Sequence, residues 1–542
     1  MVTMRNCFVY VFLMTLFPGA VILAQSTETE RFSKRIENIA VEYYRIGDYK
    51  KALEGYLMLD SVSPGNTYYN HRIGICYLNS SQKSKAFPYL EFAYQQEDAP
   101  DNILFDLARA YHYGLEFDKA IIMYESFRKQ IQYQQAGNKS IDITEADIAT
   151  YIQQCRNGKR FIANPELHTR VENLGPDVNS SYTDFGPLIN RQEDLLIFTS
   201  KRGATENTKP DPLTGQFYEN VFVSRYIDGS WEESFSIGEP INQDQAHNAA
   251  VGLSPDGKLL FLYKGDDSFL SSRVSGNLYL SRISGGLWQD PEKIEVINTK
   301  SWESSASITE DGTMLVFSSD RPGGFGGTDL YMSKKMTNGA WGTPQNLGGY
   351  INTTEDEDGP FIHPEGNKLY FSSKGHDSMG GYDIFYSEYL EDKKRWTRPV
   401  NMGFPINSAD DDIFFVWSAD GNRAYFSSER EDSYGETDIY LLTLSDDKSS
   451  MITVRTEIRD KLDQSAVNAK ITVREKLNNR LIGLFDTSEE EGSTCAIPLR
   501  TGRNYQFSID AKGYRMEVFD VDLAQTVPDE ELIQNVTLTR NQ

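Results

Sequence analysis

IFTS at 197–200 is repeated as LFLY at 260–263, VFSS at 316–319, YFSS at 370–373 and YFSS at 425–428. The phenylalanines of these runs follow one another at intervals of 63, 56, 54 and 55 residues. An asparagine earlier in each unit keeps the same four intervals, at Asn179, Asn242, Asn298, Asn352 and Asn407. Units of about this length with several short strands are typical of β-propeller blades, because one small sheet cannot bury both of its faces alone.

The ends of this repeat predict how the ring closes. Four units continue to a tryptophan and then to an outer strand, at Trp231, Trp288, Trp341 and Trp396, but the fifth has neither. The stretch 167–175, which ends in VENLG, matches the missing outer strand. We therefore expect the first strand to complete the last blade, which removes open sheet edges and gives a five-bladed β-propeller over residues 165–447.

A second repeat of 34 residues precedes the propeller. Its small residues are Ala40, Gly74 and Ala108, and a tyrosine follows each of them three residues later. The pattern resembles tetratricopeptide repeats, which are pairs of helices stacked in a row. It predicts an α-helical stack over residues 30–160, closed by a helix that Thr144 and Asp147 cap and that ends near Gly158.

The resemblance to tetratricopeptide repeats implies a groove on the first helix of each pair that binds a peptide or protein. The matching positions are Tyr44, His71, Phe105, Arg109 and His112, with Glu37, Val41, Ile75 and Leu78 beside them. The family's Lys/Asn clamp for a partner's carboxylate is absent. Either a partner protein or the chain's own neighbouring domain could fill this groove.

Four propeller units carry a carboxylate five residues after the marker asparagine, at Asp184, Glu303, Glu357 and Asp412, and the second unit has His247 there. Fivefold pseudosymmetry would place these side chains around one mouth of the central channel, with Asp356, Asp358, Asp410 and Asp411 thickening one side. Such a ring could hold a divalent cation or receive a cationic group. The alternative is that they are solvated loop acids and backbone caps.

No other pattern predicts a cofactor, a metal site or catalysis. Cys76, Cys155 and Cys495 are scattered, without a metal-binding spacing. Ser378 lies in the run GHDSMG but lacks the full spacing of a nucleophile elbow, so we interpret it as part of a hairpin loop. The formal charge of −25 makes nucleic acid and anionic lipid improbable partners, because both would be repelled.

The N-terminus predicts export. Arg5 precedes a mostly apolar stretch from Cys7 to Leu23, and Ala24 is a plausible cleavage point, so residues 1–24 are typical of a signal peptide. A retained membrane anchor is the alternative, although the stretch is short for a span of about 20 apolar residues.

The C-terminal segment 451–540 alternates apolar and polar residues between polar turns, which predicts a small antiparallel β-sandwich. Its text AVNAKITV followed by GRNYQFSIDAKGY resembles the carboxypeptidase regulatory-like domain. That resemblance implies a structural or adhesive module with no chemistry of its own.

The order of the three domains, with the runs GGTDLYMS, GGYDIFYS and GETDIYLL typical of Tol-type repeats, resembles PorE-like, OmpA-family periplasmic proteins of Bacteroidota. The resemblance implies a periplasmic protein at the outer membrane that is associated with type IX secretion or gliding. Those relatives carry an OmpA-like peptidoglycan-binding domain after the sandwich, and none is visible in this sequence. We therefore expect attachment to the envelope through a partner, a component of an outer-membrane complex.

Two function classes follow. The first is a non-enzymatic scaffold that docks cell-envelope proteins. The alternative is a binding module for a glycan, peptide or cation at the propeller channel mouth, serving an uptake system.

Overall fold

The computed structural model describes residues 18–136, 143–166, 168–205, 208–210, 216–243, 246–265, 276–444, 451–487, 493–524 and 531–541. The chain divides into two compact units, residues 1–148 and residues 149–542. Most of the predicted signal segment 1–24 lies outside the described residues. None of the helices in the described part is long and apolar enough to cross a membrane.

The first unit consists of helices in which each contacts the next along the chain, from α1 to α6. Asp48 and Asn66 cap two of them, since each side-chain oxygen accepts a hydrogen bond from the backbone N–H three residues later. The helices are α1 (Pro18–Arg45), α2 (Tyr49–Val62), α3 (Thr67–Leu78), α4 (Phe87–Tyr94), α5 (Ile103–Tyr113) and α6 (Phe117–Ala136), with a 3-10 turn at Lys83–Ala86.

Small residues allow the paired helices to approach closely. Ala40, Ala52 and Ala108 are fully buried. A Cβ added at Gly74 would lie 2.4 Å from Cγ of Leu90, so only glycine fits between α3 and α4 without displacing that leucine. The small residues of the 34-residue repeat therefore mark the positions at which one helix contacts its partner.

The last helix, α7 (Glu145–Ala163), begins in the first compact unit and ends in the second. Thr144 and Asp147 exchange the hydrogen bonds of a capping box at its start. The helix does not end near Gly158 as predicted but continues for another five residues. It continues because its C-terminal half is itself packed: Gln154 and Asn157 are buried and hydrogen-bonded to Ser378 in the second unit.

Five antiparallel sheets follow. The first contains β2 (Asp184–Ile189), β3 (Leu195–Ser200), β4 (Asn220–Ile227), β5 (Ser230–Trp231) and β6 (Phe235–Ser236). The second contains β7 (Asn248–Leu253), β8 (Leu259–Gly265), β9 (Gly276–Ser284), β10 (Leu287–Trp288) and β11 (Glu292–Lys293), and the third β12 (Glu303–Ile308), β13 (Met314–Ser319), β14 (Asp329–Lys334) and β15 (Gln345–Asn346). The fourth contains β16 (Glu357–Ile362), β17 (Lys368–Ser373), β18 (Asp383–Leu390), β19 (Arg395–Trp396) and β20 (Val400–Asn401), and the fifth β21 (Asp412–Trp417), β22 (Arg423–Ser428), β23 (Asp438–Leu444) and β1 (Thr169–Asn173).

The sheets form a closed ring. Their first strands β2, β7, β12, β16 and β21 contact one another in that order, and β21 contacts β2. Strand β1, which comes first in the chain, pairs antiparallel with β23 in the last sheet, with Val171 opposite Leu442. The first and last segments of the ring are therefore joined by a backbone ladder.

Glycines in the repeated text let neighbouring sheets approach. A Cβ added at Gly326 would lie 1.9 Å from the carbonyl oxygen of Glu355 in the next sheet, and one at Gly380 would lie 2.2 Å from that of Ala409. Gly435 makes the equivalent approach across the closure, 2.0 Å from the carbonyl oxygen of Tyr182. The glycine of the repeat is required because a side chain there would collide with backbone.

The marker asparagines hold each outer loop to the third strand of its sheet. Asn352, for example, accepts from the backbone N–H of Leu330 at 2.8 Å and donates to the carbonyl oxygen of the same residue at 3.0 Å. The other four make the same pair of bonds, Asn179 with Ile439, Asn242 with Val221, Asn298 with Leu278 and Asn407 with Ile384.

The C-terminal segment forms two further sheets, in the strand orders β27-β24-β30 and β26-β25-β28-β29. Buried residues of both sheets, among them Val454 and Phe507, share one hydrophobic core. The pattern predicts only antiparallel pairing, but β30 runs parallel to β24 because it crosses over from the other sheet. The strands are β24 (Met451–Asp460), β25 (Lys470–Glu475), β26 (Arg480–Asp486), β27 (Thr494–Arg500), β28 (Asn504–Asp510), β29 (Glu517–Asp522) and β30 (Glu531–Leu538).

Candidate functional site

A partly exposed cationic and aromatic cluster lies on α1 and α3, the first helices of two successive pairs. The guanidinium carbon of Arg72 is 4.3 Å from the ring centroid of Tyr44 and 5.0 Å from that of Tyr68, which is 40% exposed. The Nε of Arg72 is buried and has no hydrogen-bond partner in the described structure. We call these three side chains the Tyr44 cluster, and cation–π attraction holds it together.

Of the residues predicted for the groove, His71 lies inside the stack. Its Nε2 is 3.0 Å from Oδ2 of Asp106, and Asn102 donates to the same oxygen at 2.7 Å. His71 and Asp106 are both buried, so their contact fastens α3 to α5. The groove prediction is corrected at this position, because the imidazole is used for packing between helices.

Phe105 and His112 are buried as well. The ring of Phe105 lies 5.2 Å from that of Phe127, and the ring of His112 lies 5.7 Å from that of Phe117, both on α6. Arg109 is half-buried, with its guanidinium 5.9 Å from the Phe105 ring. These side chains fill the space between α5 and α6, which the spacing of the repeat does not reveal.

The accessible surface is therefore narrower than the sequence predicts. Ile75 and Leu78 are buried, whereas Val41 is exposed and Glu37 and Tyr44 are half-buried. Sequence reasoning missed Tyr68 and Arg72, which stand at no repeated position. The signal that could have found them is the spacing of four residues, which places both side chains on one face of α3.

The four carboxylates of the propeller repeat do not form an exposed ring: all four are fully buried. The residue four positions earlier donates both its backbone N–H and its hydroxyl to each carboxylate, as Thr353 does to Glu357 at 2.8 Å and 2.6 Å. The other donors are Ser180 to Asp184, Thr299 to Glu303 and Ser408 to Asp412. The geometry corresponds to one part of the alternative, in which these acids are backbone caps, but the other part is wrong, because none of the four is solvated.

Three of these carboxylates also meet an arginine 18 residues later, Asp184 with Arg202, Glu303 with Arg321 and Asp412 with Arg430. The same position after Glu357 is Gly375, and the nearby His376 contacts the carbonyl oxygen of Ile351 instead. Burial without an ion-pair partner raises the pKa of Glu357 to about 7.

In the second sheet, the residue at the carboxylate position comes one residue later in the sequence than the repeat predicts. Asn248, rather than His247, begins the first strand and is fully buried. It lies opposite Lys264, at the position where Glu357 lies opposite Ser373. The predicted fifth member of the ring is thus an amide.

The extra acids join neighbouring sheets. Asp356 accepts from the backbone N–H of Thr328 at 3.1 Å, and Asp411 accepts from that of Tyr382 at 2.8 Å. Asp358 accepts from the hydroxyl of Ser305 at 2.6 Å in the preceding sheet. Within the described residues, no group of three or more His, Cys, Asp and Glu side chains is placed to hold a metal ion.

The central channel is lined by the first strands of the five sheets, and its cavity volume is about 60 Å³. This is room for about four or five waters. Phe414 lines it with a φ of +60°, where Gly186 and Gly359 stand in two other sheets at +65° and +58°. Its ring centroid is 5.9 Å from that of Phe185, so aromatic rings narrow the channel.

Ser378 is 2% exposed. Its hydroxyl accepts from Gln154 at 3.2 Å and donates to the carbonyl oxygen of Lys374 at 3.1 Å. Through these contacts Ser378 helps to hold the C-terminal half of α7 in position. The thiols of Cys76 and Cys155 are buried, and burial raises the pKa of Cys76 to about 12.

No family model and no curated protein matches the chain. Among solved structures it is similar to a putative TolB from Agrobacterium tumefaciens, with 15% identity, 61% of this chain and 97% of that chain covered, and a TM-score of 0.30. It is also similar to the Sgt2 TPR domain from Aspergillus fumigatus, with 20% identity, 24% of this chain and 85% of that chain covered, and a TM-score of 0.20. A thermostable family-43 glycoside hydrolase is similar with 14% identity, 50% of this chain and 92% of that chain covered, and a TM-score of 0.33. All three TM-scores are below 0.5, and the structures include both a TolB protein and a hydrolase, so the function has to be argued from the site.

Proposed function

We propose that this protein is a non-enzymatic periplasmic scaffold that docks cell-envelope proteins, peripherally associated with the outer membrane and linked to type IX secretion or gliding. Its parts would be a tetratricopeptide stack, a five-bladed propeller of the Tol type and a carboxypeptidase regulatory-like sandwich. The closed ring of five sheets, and the hydrophobic core that the last two sheets share, support this division.

The observation that carries the proposal is the Tyr44 cluster. Two tyrosines and an arginine on the first helices of consecutive pairs give a surface with large contact area and one positive charge. Tyr and Arg are the residue types that contribute most to protein interfaces. Arg72 is half-buried and gives this surface its positive charge, so the partner segment should carry an acidic side chain or a terminal carboxylate.

Two observations favour a scaffold over the alternatives. The four carboxylates of the propeller repeat, which could have bound a cation or taken part in hydrolysis, are buried. They accept hydrogen bonds from groups of their own repeat unit. The cavity in the channel has a volume of about 60 Å³, room for only a few waters, and the rings of Phe185 and Phe414 narrow it.

Affinity capture of the tagged protein from its native envelope, followed by mass spectrometry, tests the proposal. The wild type should recover outer-membrane secretion or gliding components, and Arg72→Gln and Tyr44→Ala should lose them. Lys119→Gln, an exposed change on α6, is the control and should retain them. Recovery of the protein alone, or of the same components with all variants, would contradict the proposal.

A further inference from the structure

A small cavity lies between Pro165, Glu166 and Thr169, the loop at Pro405 and the last two sheets, all within the second compact unit. Its volume is about 40 Å³. This is room for about three waters or one small polar group. Leu481 and Ile482 provide apolar wall, and three arginines complete the lining: Arg480, Arg500 and Arg503. We call it the arginine cavity.

The charges at this cavity favour an anion. Glu475 is buried; one of its carboxylate oxygens lies 2.9 Å from Nη1 of Arg503 and the other 3.3 Å from Nη2 of Arg480. One carboxylate thus serves two guanidinium groups, those of Arg480 and Arg503. Glu166 also lines the cavity but is exposed to solvent, so it neutralises less of the buried charge.

One hydrogen-bond donor of the Arg480 side chain lacks an acceptor among the described residues. Its Nε is buried and has no hydrogen-bond partner within the described residues. Burial lowers the pKa of this guanidinium; Glu475 opposes the shift, and the neighbouring Arg503 adds to it. A buried charged donor without an acceptor is destabilising, and an anionic oxygen is the acceptor that would remove the cost.

We propose that the arginine cavity binds a small oxyanion, a phosphate or carboxylate group, held by Arg480 with Arg503 and Arg500 beside it. The planar guanidinium matches both groups, and the cavity admits one of them. The carbon substituent of a ligand would lie against Leu481 and Ile482. Sites of this kind are favoured where domains meet, and the cavity has walls from three segments of the chain.

Isothermal titration of the full-length protein tests this inference. Sodium phosphate, sodium sulfate and sodium acetate are titrated separately into protein in a chloride buffer. At least one should bind saturably, and Arg480→Gln should weaken that binding at least tenfold. Arg459→Gln is the matched control, a half-exposed arginine of β24 that pairs with Glu457, and should leave the affinity unchanged.

The three anions distinguish the sources of the oxyanion. Stronger binding of phosphate or sulfate than of acetate assigns a phosphate-type ligand, and the reverse order assigns a carboxylate. If Arg480→Gln loses its native circular dichroism, Arg480→Lys replaces it; it keeps the charge but lacks Nε–H, and should also weaken binding. Absence of saturable binding by all three anions, or equal binding by wild type and folded variant, would overturn the proposal.

Discussion

Among single residues, the marker asparagines and the buried carboxylates have the same role, which is to hydrogen-bond backbone groups. Each satisfies backbone groups that the turns between strands would otherwise leave without partners. A short side chain with two polar atoms can bond both the N–H and the C=O of one residue on a neighbouring strand. This explains why asparagine recurs at the period of the repeat.

Asn352→Ala should lower the free energy of unfolding of the ring by about 1 to 3 kcal/mol, because it leaves the N–H of Leu330 buried and unpaired, whereas the C=O of Leu330 still accepts from the N–H of Leu347. Urea unfolding followed by tryptophan fluorescence measures the change. Asn422→Ala, at an exposed turn, is the control and should change it by less than about 1 kcal/mol. Equal effects of the two variants would show that the buried pair of bonds is unimportant.

Glu357 should make stability depend on pH. Its pKa in the folded protein, about 7, is above the value of about 4.3 expected in the unfolded chain, so the folded state binds the proton more tightly. Its contribution is fully present below about pH 4 and is lost as the pH rises through 7. Glu357→Gln should therefore destabilise the ring less at pH 8 than at pH 5, by on the order of 1 to 3 kcal/mol.

Unfolding of Glu357→Gln and wild type in urea at pH 5 and pH 8 measures this difference. Glu388→Gln, on an exposed part of β18, is the control and should differ from wild type by less than about 0.5 kcal/mol. A Glu357→Gln effect that is the same at both pH values would contradict the assignment.

At the scale of elements, the period of the sequence predicted the features that repeat. Strand β1 does pair with β23, and the apolar run around Phe198 and its four counterparts forms the second strand of each sheet. Features that do not repeat were missed. The arginine after the carboxylate is absent at Gly375, the second unit gains one residue before Asn248, and α7 is extended by contacts with a distant loop.

The prediction of the groove residues from the 34-residue repeat was limited in the same way. The spacing of 34 residues places Phe105 and His112 on the first helix of a pair, but helical spacing alone does not say whether a neighbouring helix covers them. Aromatic residues of α6 do cover them. Arg72 becomes visible only when α1 and α3 are brought together, because its contacts with Tyr44 and Tyr68 depend on that packing.

Gly435→Ala should weaken the junction between the last and first sheets. The new methyl group would lie 2.0 Å from the carbonyl oxygen of Tyr182, so the loop must shift. We expect a loss of about 1 to 3 kcal/mol in the free energy of unfolding, measured in urea. Gly265→Ala is the control, since among the described residues its Cβ would meet nothing closer than 3.8 Å, and an equal loss there would contradict the steric argument.

At the scale of the whole molecule, the ring is closed by residues far apart in the chain. Arg170 on β1 lies opposite Thr443 on β23. Directly opposed residues of antiparallel strands have Cα atoms within the range that a disulfide can bridge. The same ladder gives the last sheet its outer strand, in the order β1-β23-β22-β21.

The double variant Arg170→Cys with Thr443→Cys should form a disulfide on mild oxidation and raise the melting temperature above that of its own reduced form. A crosslink that closes so long a loop stabilises by up to about 5 kcal/mol. Non-reducing electrophoresis and calorimetry measure both effects. A pair of thiols that stays reduced under oxidation, with native circular dichroism, would contradict the closure.

We expect the Tyr44 cluster to bind another envelope protein. Site-specific photocrosslinking in intact cells tests it most directly, with a photoreactive amino acid placed at Tyr68 and, as control, at Tyr133, which is 84% exposed on α6. We expect a discrete adduct of higher mass from position 68 that contains a second envelope protein, that is lost with Arg72→Gln, and that is absent from position 133. Uncrosslinked protein alone from position 68, or the same adducts from both positions, would contradict it.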